Sequence, residues 1–334
     1  MKRLLLLMPA LCISCSMTLV PEDEGLCDSV FAIRGVTKST GVSEYAETNV
    51  IHWSVMLFDA GNEHAWYYAS SDGDNDIHCT IRKGRPYRAY AIVNYPQDFS
   101  PSLIQGESQL LQYESFLWSN TPDALVMFGS RVFPEAPSGV SPIPVERLCS
   151  KVVVDKISVN MEDPVYASRD FTLDAVYLTN VCTYSTLGSD YSMPEADYRF
   201  WYNAMGWHGS GTLRTLDLLL GDKGIGIKIG NGFSYDSGHT FYAYPNTVTD
   251  DTTEEEWSPR HSRLVIEATL GGKKYYYTIT LPAMSRGVSY TISEAIIRKP
   301  GSLDPEKNVP GAIDASITIT EDSWDSEYHT SEES

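Results

Sequence analysis

The densest group of possible metal ligands in the chain is the acidic run DGDND at residues 72–76. Alternating carboxylates of this kind open the calcium loop of EF-hand proteins, where the sixth position is a glycine and the twelfth a bidentate glutamate. Those two positions hold Ile77 and Lys83 in this chain. We therefore interpret the run as a solvated turn, and the sequence predicts no metal site.

Other spacings that are typical of catalysis are also missing from the sequence. The seven histidines form neither an HxxxH nor an HExxH pair, and no GxSxG nucleophile motif is present. Gly224, Gly226 and Gly230 lack the spacing and the closing Lys-Ser/Thr of a phosphate-binding loop, so they favour a pair of kinked strands. We predict no catalytic residue and no cofactor, and we expect a protein that is not an enzyme.

The N-terminus has the pattern of an export signal. A basic pair, Lys2 and Arg3, precedes the apolar run 4–11, and the segment ends at Cys15. Such a segment is too short to span a bilayer and is removed from a secreted protein. Because a cysteine stands at the expected cut, we predict a lipoprotein signal at residues 1–14, lipidation of Cys15 by acyl chains such as palmitate, and an acidic tether at residues 15–26. An ordinary secretory signal is the alternative.

Four further cysteines, Cys27, Cys79, Cys149 and Cys182, are widely separated and form no CxxC motif. In an exported protein they could form one or two disulfides, and four cysteines allow three complete pairings. Each is equally suited to be a small buried hydrophobic residue. We favour burial, and the sequence does not choose among the pairings.

One segment is dense in aromatic residues. Residues 198–202 read YRFWY, and Trp207 follows shortly after. Flat rings can stack on sugars or on a protein partner, so we name Trp201, Tyr202 and Trp207 as possible ligand-binding residues. Packing within a strand core is the alternative.

The charge balance excludes one class of partner. The 334 residues include 25 Lys and Arg against 44 Asp and Glu, which gives a formal net charge of −19. A nucleic-acid-binding protein needs a basic surface that displaces counterions from phosphates, so we expect no nucleic-acid partner. Hydrophobic residues make up 42% of the chain, which is enough to form a core.

Strand patterns dominate the remaining sequence. Strands are predicted at residues 50–58, 87–94, 151–160, 171–182, 288–297 and 315–320, and a single helix at 107–118. The clearest pattern is a hairpin of residues 263–270 and 273–281 joined by Gly271-Gly272. A Gly-Gly pair suits a type I′ turn because both positions need a positive φ. Counting outward from that turn pairs Leu270 with Lys273 and Leu264 with Ile279.

Many short strands with turn residues between them indicate an all-β fold of packed sheets. Prolines crowd together near residue 140, so we place a boundary there. The predicted organisation is an N-terminal β-sandwich at 27–143, a C-terminal β-sandwich at 144–320 and an acidic tail at 321–334.

Short motifs along the chain occur in an order that resembles the fimbrillins, the type V pilins of Bacteroidales. They are VFAIR at residues 30–34, VMLFD at 55–59, AIVN at 91–94, MFG at 127–129, RLCSKV at 147–152, and a C-terminal set of YAYPN at 242–246, YYY at 275–277 and PGSLDP at 300–305. Ser150 stands where the family usually has Ala. The resemblance spans nearly the whole chain after the signal.

This resemblance implies two transthyretin-like β-sandwich domains in tandem and assembly by strand exchange. A protease would cut after Arg34 or Lys38, the strand at residues 27–33 would leave, and a neighbour's C-terminal strand would replace it. The implied location is the outer membrane or a cell-surface fimbria. The implied partners are other fimbrial subunits and a glycan or protein receptor.

The C-terminus departs from the pattern of stalk pilins. After Trp324, where a stalk subunit continues with an apolar donor strand, this chain reads DSEYHTSEES, in which Tyr328 is the only sizeable apolar side chain. We therefore expect a tip or accessory subunit rather than a stalk subunit. The rival hypothesis is a glycan-binding surface lipoprotein that never polymerises.

Overall fold

The computed structural model describes residues 25–34, 49–59, 65–73, 75–96, 104, 106–188, 200–204, 213–216, 218–249 and 259–321. Within these ranges the elements are almost all strands. The two helices are short, α1 (Glu107–Leu111) and α2 (Pro164–Ala167). No helix in the described ranges is long and apolar enough to cross a membrane.

The first nine strands are β1 (Leu26–Arg34), β2 (His52–Asp59), β3 (Ala65–Asp72), β4 (Ile77–Arg82), β5 (Tyr87–Val93), β6 (Glu114–Phe116), β7 (Met127–Phe133), β8 (Gly139–Pro144) and β9 (Glu146–Arg147). The next nine are β10 (Ser150–Val159), β11 (Phe171–Thr179), β12 (Val181–Cys182), β13 (Tyr184–Thr186), β14 (Trp201–Tyr202), β15 (Gly221–Lys228), β16 (Phe233–Ala243), β17 (Arg263–Leu270) and β18 (Lys273–Thr280). The last four are β19 (Val288–Ile292), β20 (Ala295–Ile297), β21 (Ile313–Ala315) and β22 (Thr318–Glu321).

Two sheets pack against each other in the N-terminal half. One has three strands in the order β4-β1-β8, and the other has five in the order β3-β2-β5-β7-β9. Strand β2 shows how the sequence builds this layer: Trp53, Val55 and Leu57 alternate along it and join the cluster between the two sheets. Successive side chains of a strand point to opposite faces, so Met56 and Phe58 lie on the other face and join a second cluster.

Two larger sheets form the C-terminal half. In one, β10 pairs with β16 along one edge and with β19 and β20 along the other, and β22 and β21 lie outside them. The other has the order β15-β11-β17-β18. Gly224 and Gly226 in β15 have φ values of +76° and +67°, and the pairing of β11 with β15 shifts register between Leu173 and Ala175. These glycines therefore kink a strand pair, as expected. The prediction of an all-β sandwich fold is confirmed.

One hydrophobic cluster joins the two halves. It contains Met56, Phe58 and Tyr90 of the five-stranded sheet together with Val152 and Val154 of β10. The predicted division into domains at residues 143 and 144 stays a prediction. Whatever its boundary, the two pairs of sheets share buried apolar contacts.

The predicted hairpin is confirmed residue by residue. Strands β17 and β18 pair Leu270 with Lys273 and Leu264 with Ile279. Gly271 and Gly272 have φ values of +56° and +82°. The turn therefore needs two residues that adopt a positive φ without the steric cost of a Cβ atom, as the sequence predicts.

The predicted helix at residues 107–118 is wrong beyond its first turn. Helix α1 ends at Leu111, and β6 and a 3-10 turn at residues 117–119 follow. Strand β6 pairs with β13, with Ser115 opposite Ser185. The strand partner lies about seventy residues away in sequence, so a local helical pattern could not reveal it.

Candidate functional site

The candidate site is the slot that β1 occupies at the centre of the three-stranded sheet. Six residue pairs join β1 to β4 in antiparallel register, and six join it to β8 in parallel register. Strand β1 covers the predicted leaving strand at residues 27–33. Both of its edges are paired, so removing it would leave β4 and β8 each with an unpaired edge and would uncover the cluster beneath.

Alternate side chains of β1 point into that cluster. Phe31 is completely buried, and its ring centre lies 5.7 Å from that of Phe133 in an edge-to-face arrangement. Ser29 is also completely buried, and its hydroxyl donates to the carbonyl oxygen of Pro137 at 2.7 Å. Cys27 and Ile33 pack against the same cluster. The slot is therefore a series of apolar subsites interrupted by one polar subsite at Ser29.

The outer edge of β8 is unsuited to a further strand. Its residues 142 and 144 are prolines, which have no N–H to donate to a ladder. The carbonyl oxygen of Pro142 accepts a hydrogen bond from the Arg131 guanidinium at 2.9 Å, so the backbone of that residue points away from β1. Prolines at an outward-facing edge block strand addition. Of the two edges of β8, the one that faces the slot is therefore the one that can hold a strand.

Gly129, the glycine of the MFG motif, lies where β7 passes close to the end of β8. A Cβ at this position would lie 1.8 Å from the carbonyl oxygen of Pro144. The motif therefore has a structural reason: only glycine lets the two strands approach. Arg147, the first residue of the RLCSKV motif, pairs with Met127 and is completely buried.

The predicted processing residues lie at the border of the described chain. Arg34 is the last residue of β1 and stands opposite Pro144. Lys38, the lipidation residue Cys15 and the aromatic Trp207 lie outside the described residues. The processing and lipidation assignments stay predictions.

The aromatic segment forms a ring stack that sequence reasoning only partly found. Trp201 is 3% exposed and packs with Cys182 in a small cluster. Tyr202 is half-buried, with the Arg214 guanidinium carbon 4.2 Å from its ring centre. The residue that was missed is Trp118, which is 47% exposed and stands 6.1 Å from Tyr202.

Two phenylalanine rings also belong to this stack. Phe116 lies parallel to the Trp118 ring at 4.5 Å, and Phe200 lies 6.5 Å from Phe116. Much of the ring area in this stack is therefore used by neighbouring rings, and Trp118 offers the largest free surface. No local pattern marks Trp118, because it meets Tyr202 only through the fold.

The cysteines of the two halves have different surroundings. Cys27 and Cys79 lie on adjacent strands of the three-stranded sheet, whereas Cys149 and Cys182 are fully buried in the C-terminal half. All four are thiols. Burial, helped by the neighbouring Cys27 and Asp28, raises the pKa of the Cys79 thiol to about 11.

Strand β22, the last strand in the described part of the chain, is paired at one edge only there. It pairs with β19 through four residues, and Ile319 at its centre is 53% exposed. Its side chains thus contribute little buried area, in contrast to those of β1. Trp324 and the predicted acidic tail beyond Glu321 lie outside the described residues.

Comparison with solved structures identifies the fold. A fimbrilin from Porphyromonas gingivalis superposes with a TM-score of 0.62, covering 88% of this chain and 97% of its own, at 13% identity. The chain has the fimbrillin fold. No protein-family model and no curated protein matches the sequence.

Two further structures share the fimbrillin fold with this chain. A candidate cell adhesion protein from Bacteroides eggerthii matches with a TM-score of 0.63 at 15% identity, covering 89% of this chain and 96% of its own. The tip fimbrial protein Mfa3 from P. gingivalis, with a C-terminal truncation, matches with a TM-score of 0.52 at 13% identity, covering 88% and 100%. At such identities the matches establish the fold alone.

Proposed function

We propose that this chain is a subunit of a surface fimbria that accepts a strand from a neighbouring subunit in place of β1. The observation that carries the proposal is the position of β1, which is the first described strand and yet the central strand of its sheet. A central strand that precedes the other described strands in chain order can be exchanged without passing any of them through the fold. The fimbrial and adhesion proteins that share the fold support the same role.

Cleavage after Arg34 or Lys38 is the proposed trigger. Before the cut, β1 is covalently attached, so the slot is filled by the chain itself. After the cut, β1 is held only by its ladder and its buried side chains. A partner strand can then displace it, because the donor supplies the same backbone partners and alternate side chains for the same subsites.

The buried side chains of β1 determine how much free energy holds it in the slot, and hence how much a partner strand must supply. Burying one large apolar side chain stabilises a protein by about 1.5–3 kcal/mol. Phe31 and Ile33, with the smaller Cys27, therefore hold β1 by several kcal/mol in total. A donor with apolar side chains that fit these subsites would compete with β1, and one with charged side chains would not.

We assign the chain to a tip or accessory position. The residues after Trp324 are acidic and offer Tyr328 as their only sizeable apolar side chain. Such a segment is poorly suited to the apolar subsites around Phe31. The subunit would accept a strand and would not donate one.

The proposed location is the outer surface of the cell, with the chain anchored in the outer membrane through lipid on Cys15. Its proposed partners are other fimbrial subunits and a glycan or protein receptor. The proposed role is structural and adhesive, without enzymatic activity.

Limited trypsin digestion of the purified protein tests strand exchange. The digested protein is incubated with a fluorescent peptide that copies β1 itself, residues 26–34, and is then separated from free peptide by gel filtration. We expect cleavage after Arg34 or Lys38 and peptide uptake by the cut form only. Uptake by uncut protein, or none by cut protein, would contradict the proposal.

Two controls make the experiment specific. A peptide with the change Phe31→Asp should not bind, because an unpaired carboxylate would enter the buried subsite next to Phe133. The variant Arg34→Gln/Lys38→Gln should stay uncut at this segment and should take up no peptide. The cut protein should also form no chains by itself, since its own tail is a poor donor.

Glycan binding by a lipoprotein that does not polymerise is the second candidate function. The exposed ring of Trp118 next to Tyr202 favours it, because exposed aromatic rings are common sugar contacts. A glycan array with the native protein and with Trp118→Ala tests it. Two results together would favour this function over the first. Glycan binding should be lost in the variant, and the native protein should be purified from cells without other pilins attached.

A further inference from the structure

Two cysteines lie side by side across the pairing of β1 and β4. In the register of these strands, Ser29 stands opposite Cys79 and Cys27 opposite Ile81. Residues 27 and 29 of β1 point inward, as do residues 79 and 81 of β4. Cys27 and Cys79 are thus diagonal neighbours on the same face of the sheet.

The side chains of Cys27 and Cys79 lie on the same side of the sheet, and two observations bear on their relation. The Sγ of Cys27 lies 3.8 Å from the Oγ of Ser29, so it leans along β1 toward the residue that faces Cys79. The charge of a Cys27 thiolate is also near enough to raise the pKa of Cys79. Both observations place the thiols on the same side of the β1–β4 ladder.

A disulfide between Cys27 and Cys79 requires a small movement of the backbone, because diagonal neighbours are farther apart than disulfide-bonded residues. Diagonal neighbours have Cα atoms about 7–8 Å apart with closer Cβ atoms, whereas disulfides span about 4.4–6.8 Å between Cα atoms. A shift of about 1 Å in the first residues of β1 bridges the difference. That end of β1 is lightly packed, since Leu26 is 62% exposed.

We infer that Cys27 and Cys79 form a disulfide under oxidising conditions and that this bond fastens β1 to β4. The oxidant is a small-molecule disulfide such as oxidised glutathione. The half-buried Cys27 attacks it as a thiolate, forming a mixed disulfide and releasing one thiol. Cys79 then attacks the sulfur of Cys27 and releases the second thiol. In total, two protein thiols lose two protons and two electrons, and one small disulfide is reduced to two thiols.

The consequence for assembly rests on the proposed function. In the disulfide form, β1 stays attached after the cut at Arg34 or Lys38 and blocks the slot. Reduction of the bond then becomes a second condition for exchange. Export into an oxidising compartment would store the subunit closed, and proteolysis alone would not open it.

The experiment starts from the purified full-length chain in buffers of reduced and oxidised glutathione. The oxidised protein should lose two hydrogen atoms in mass. Digestion without reductant should yield the peptide that ends at Arg34 linked to the peptide that ends at Arg82. Because the first peptide also contains Cys12 and Cys15, fragmentation of the linked pair should place the bond at Cys27. If Cys27 carries only glutathione, if either residue links to Cys12, Cys15, Cys149 or Cys182, or if the thiols remain free, the inference is wrong.

Matched variants show which cysteines form the disulfide. The variant Cys149→Ala/Cys182→Ala should still form the link, and Cys79→Ser should not. The native protein provides the decisive result by itself, so misfolding of a variant does not affect the outcome.

The functional arm uses trypsin-cut protein and the labelled β1 peptide. Reduced protein should take up peptide, and oxidised protein should take up none until a reductant is added. Equal uptake by both forms would overturn the proposed consequence. Failure of uptake by the reduced form would count against strand exchange, while the peptide map would still decide the disulfide.

Discussion

Phe31 is the side chain by which β1 is most firmly held. Its ring is completely buried and meets Phe133 edge to face. Replacing a buried phenylalanine by alanine removes its apolar contacts and leaves a cavity that the surroundings fill only in part. The neighbouring Val30 points to the other face and is only half-buried, so it provides a matched control on the same strand.

We expect Phe31→Ala to lower the free energy of unfolding by about 3–5 kcal/mol. The change Val30→Ala should cost clearly less. Urea denaturation followed by tryptophan fluorescence measures both. Equal losses in the two variants would show that the inward face of β1 does not anchor it.

The thiol of Cys79 should react slowly at neutral pH. Its pKa of about 11 leaves only about 0.1% of the group as thiolate at pH 8. Because the thiolate is the nucleophile, the rate of alkylation should rise about tenfold per pH unit from pH 8 to pH 10.

Iodoacetamide labelling with a mass-spectrometric count of modified Cys79 follows this rate. In the Cys27→Ser variant the rate at a given pH should be higher, because the neighbouring thiolate charge that raises the pKa of Cys79 is gone. A rate that levels off below pH 9 would contradict the raised pKa.

At the scale of elements, the β17–β18 hairpin depends on its two glycines. Gly272 has a φ of +82°, and a Cβ there would meet no atom within 4 Å. Any cost of substitution therefore comes from backbone conformation rather than from a clash. We expect Gly272→Val to destabilise the protein by about 1–2 kcal/mol.

The change Gly272→Asn should cost less, because asparagine tolerates a positive φ better than other residues with a side chain. Thermal unfolding followed by circular dichroism compares the two variants. Equal melting temperatures for them would indicate that the turn is not under conformational strain.

The elements that sequence alone predicts correctly are those whose signals are local. The hairpin register follows from a two-residue turn and from alternation on either side of it. The helix at residues 107–118 fails beyond its first turn because Ser115 pairs with Ser185, a contact that no short window contains. Tertiary pairing overrides local propensity in such a segment.

In the candidate site too, local features could be predicted from the sequence and contacts between distant segments could not. That residues 27–33 form a strand could be predicted from the motif order, but its neighbours β4 and β8 lie about 50 and 110 residues further along the chain. Likewise, Tyr202 was found within an aromatic run, whereas Trp118 was missed, since it meets Tyr202 only in the folded chain. Most of this site is built from contacts between segments that are far apart in the sequence.

At the scale of the whole molecule, the two halves are tied together by polar as well as apolar contacts. The hydroxyl of the completely buried Tyr244 lies 2.6 Å from that of Ser115 and accepts a hydrogen bond from the amide of Asn120 at 3.0 Å. Burial raises the pKa of the Tyr244 hydroxyl, so the group stays protonated. The segment that follows α1 is thus fixed to the C-terminal sheets.

Anchoring of the whole molecule should depend on one residue. If Cys15 is lipidated, the variant Cys15→Ala should be released from the membrane fraction into the soluble fraction. Acyl chains supply about 0.8 kcal/mol of membrane affinity for each buried CH₂ group, and the variant has none. Cell fractionation with immunoblotting measures the shift. The variant Cys12→Ala is the control, and retention of Cys15→Ala in the membrane would refute the assignment.

The position of β1 between two neighbours also sets how the slot responds to mechanical load. Its hydrogen bonds run across the strand, six residue pairs on each side. A force that pulls a seated strand along its own axis therefore loads both ladders at once, in shear. A force that lifts one end loads the pairs one after another. A joint built on this slot would resist tension along a fibre far better than peeling, and the direction of pull would decide its lifetime.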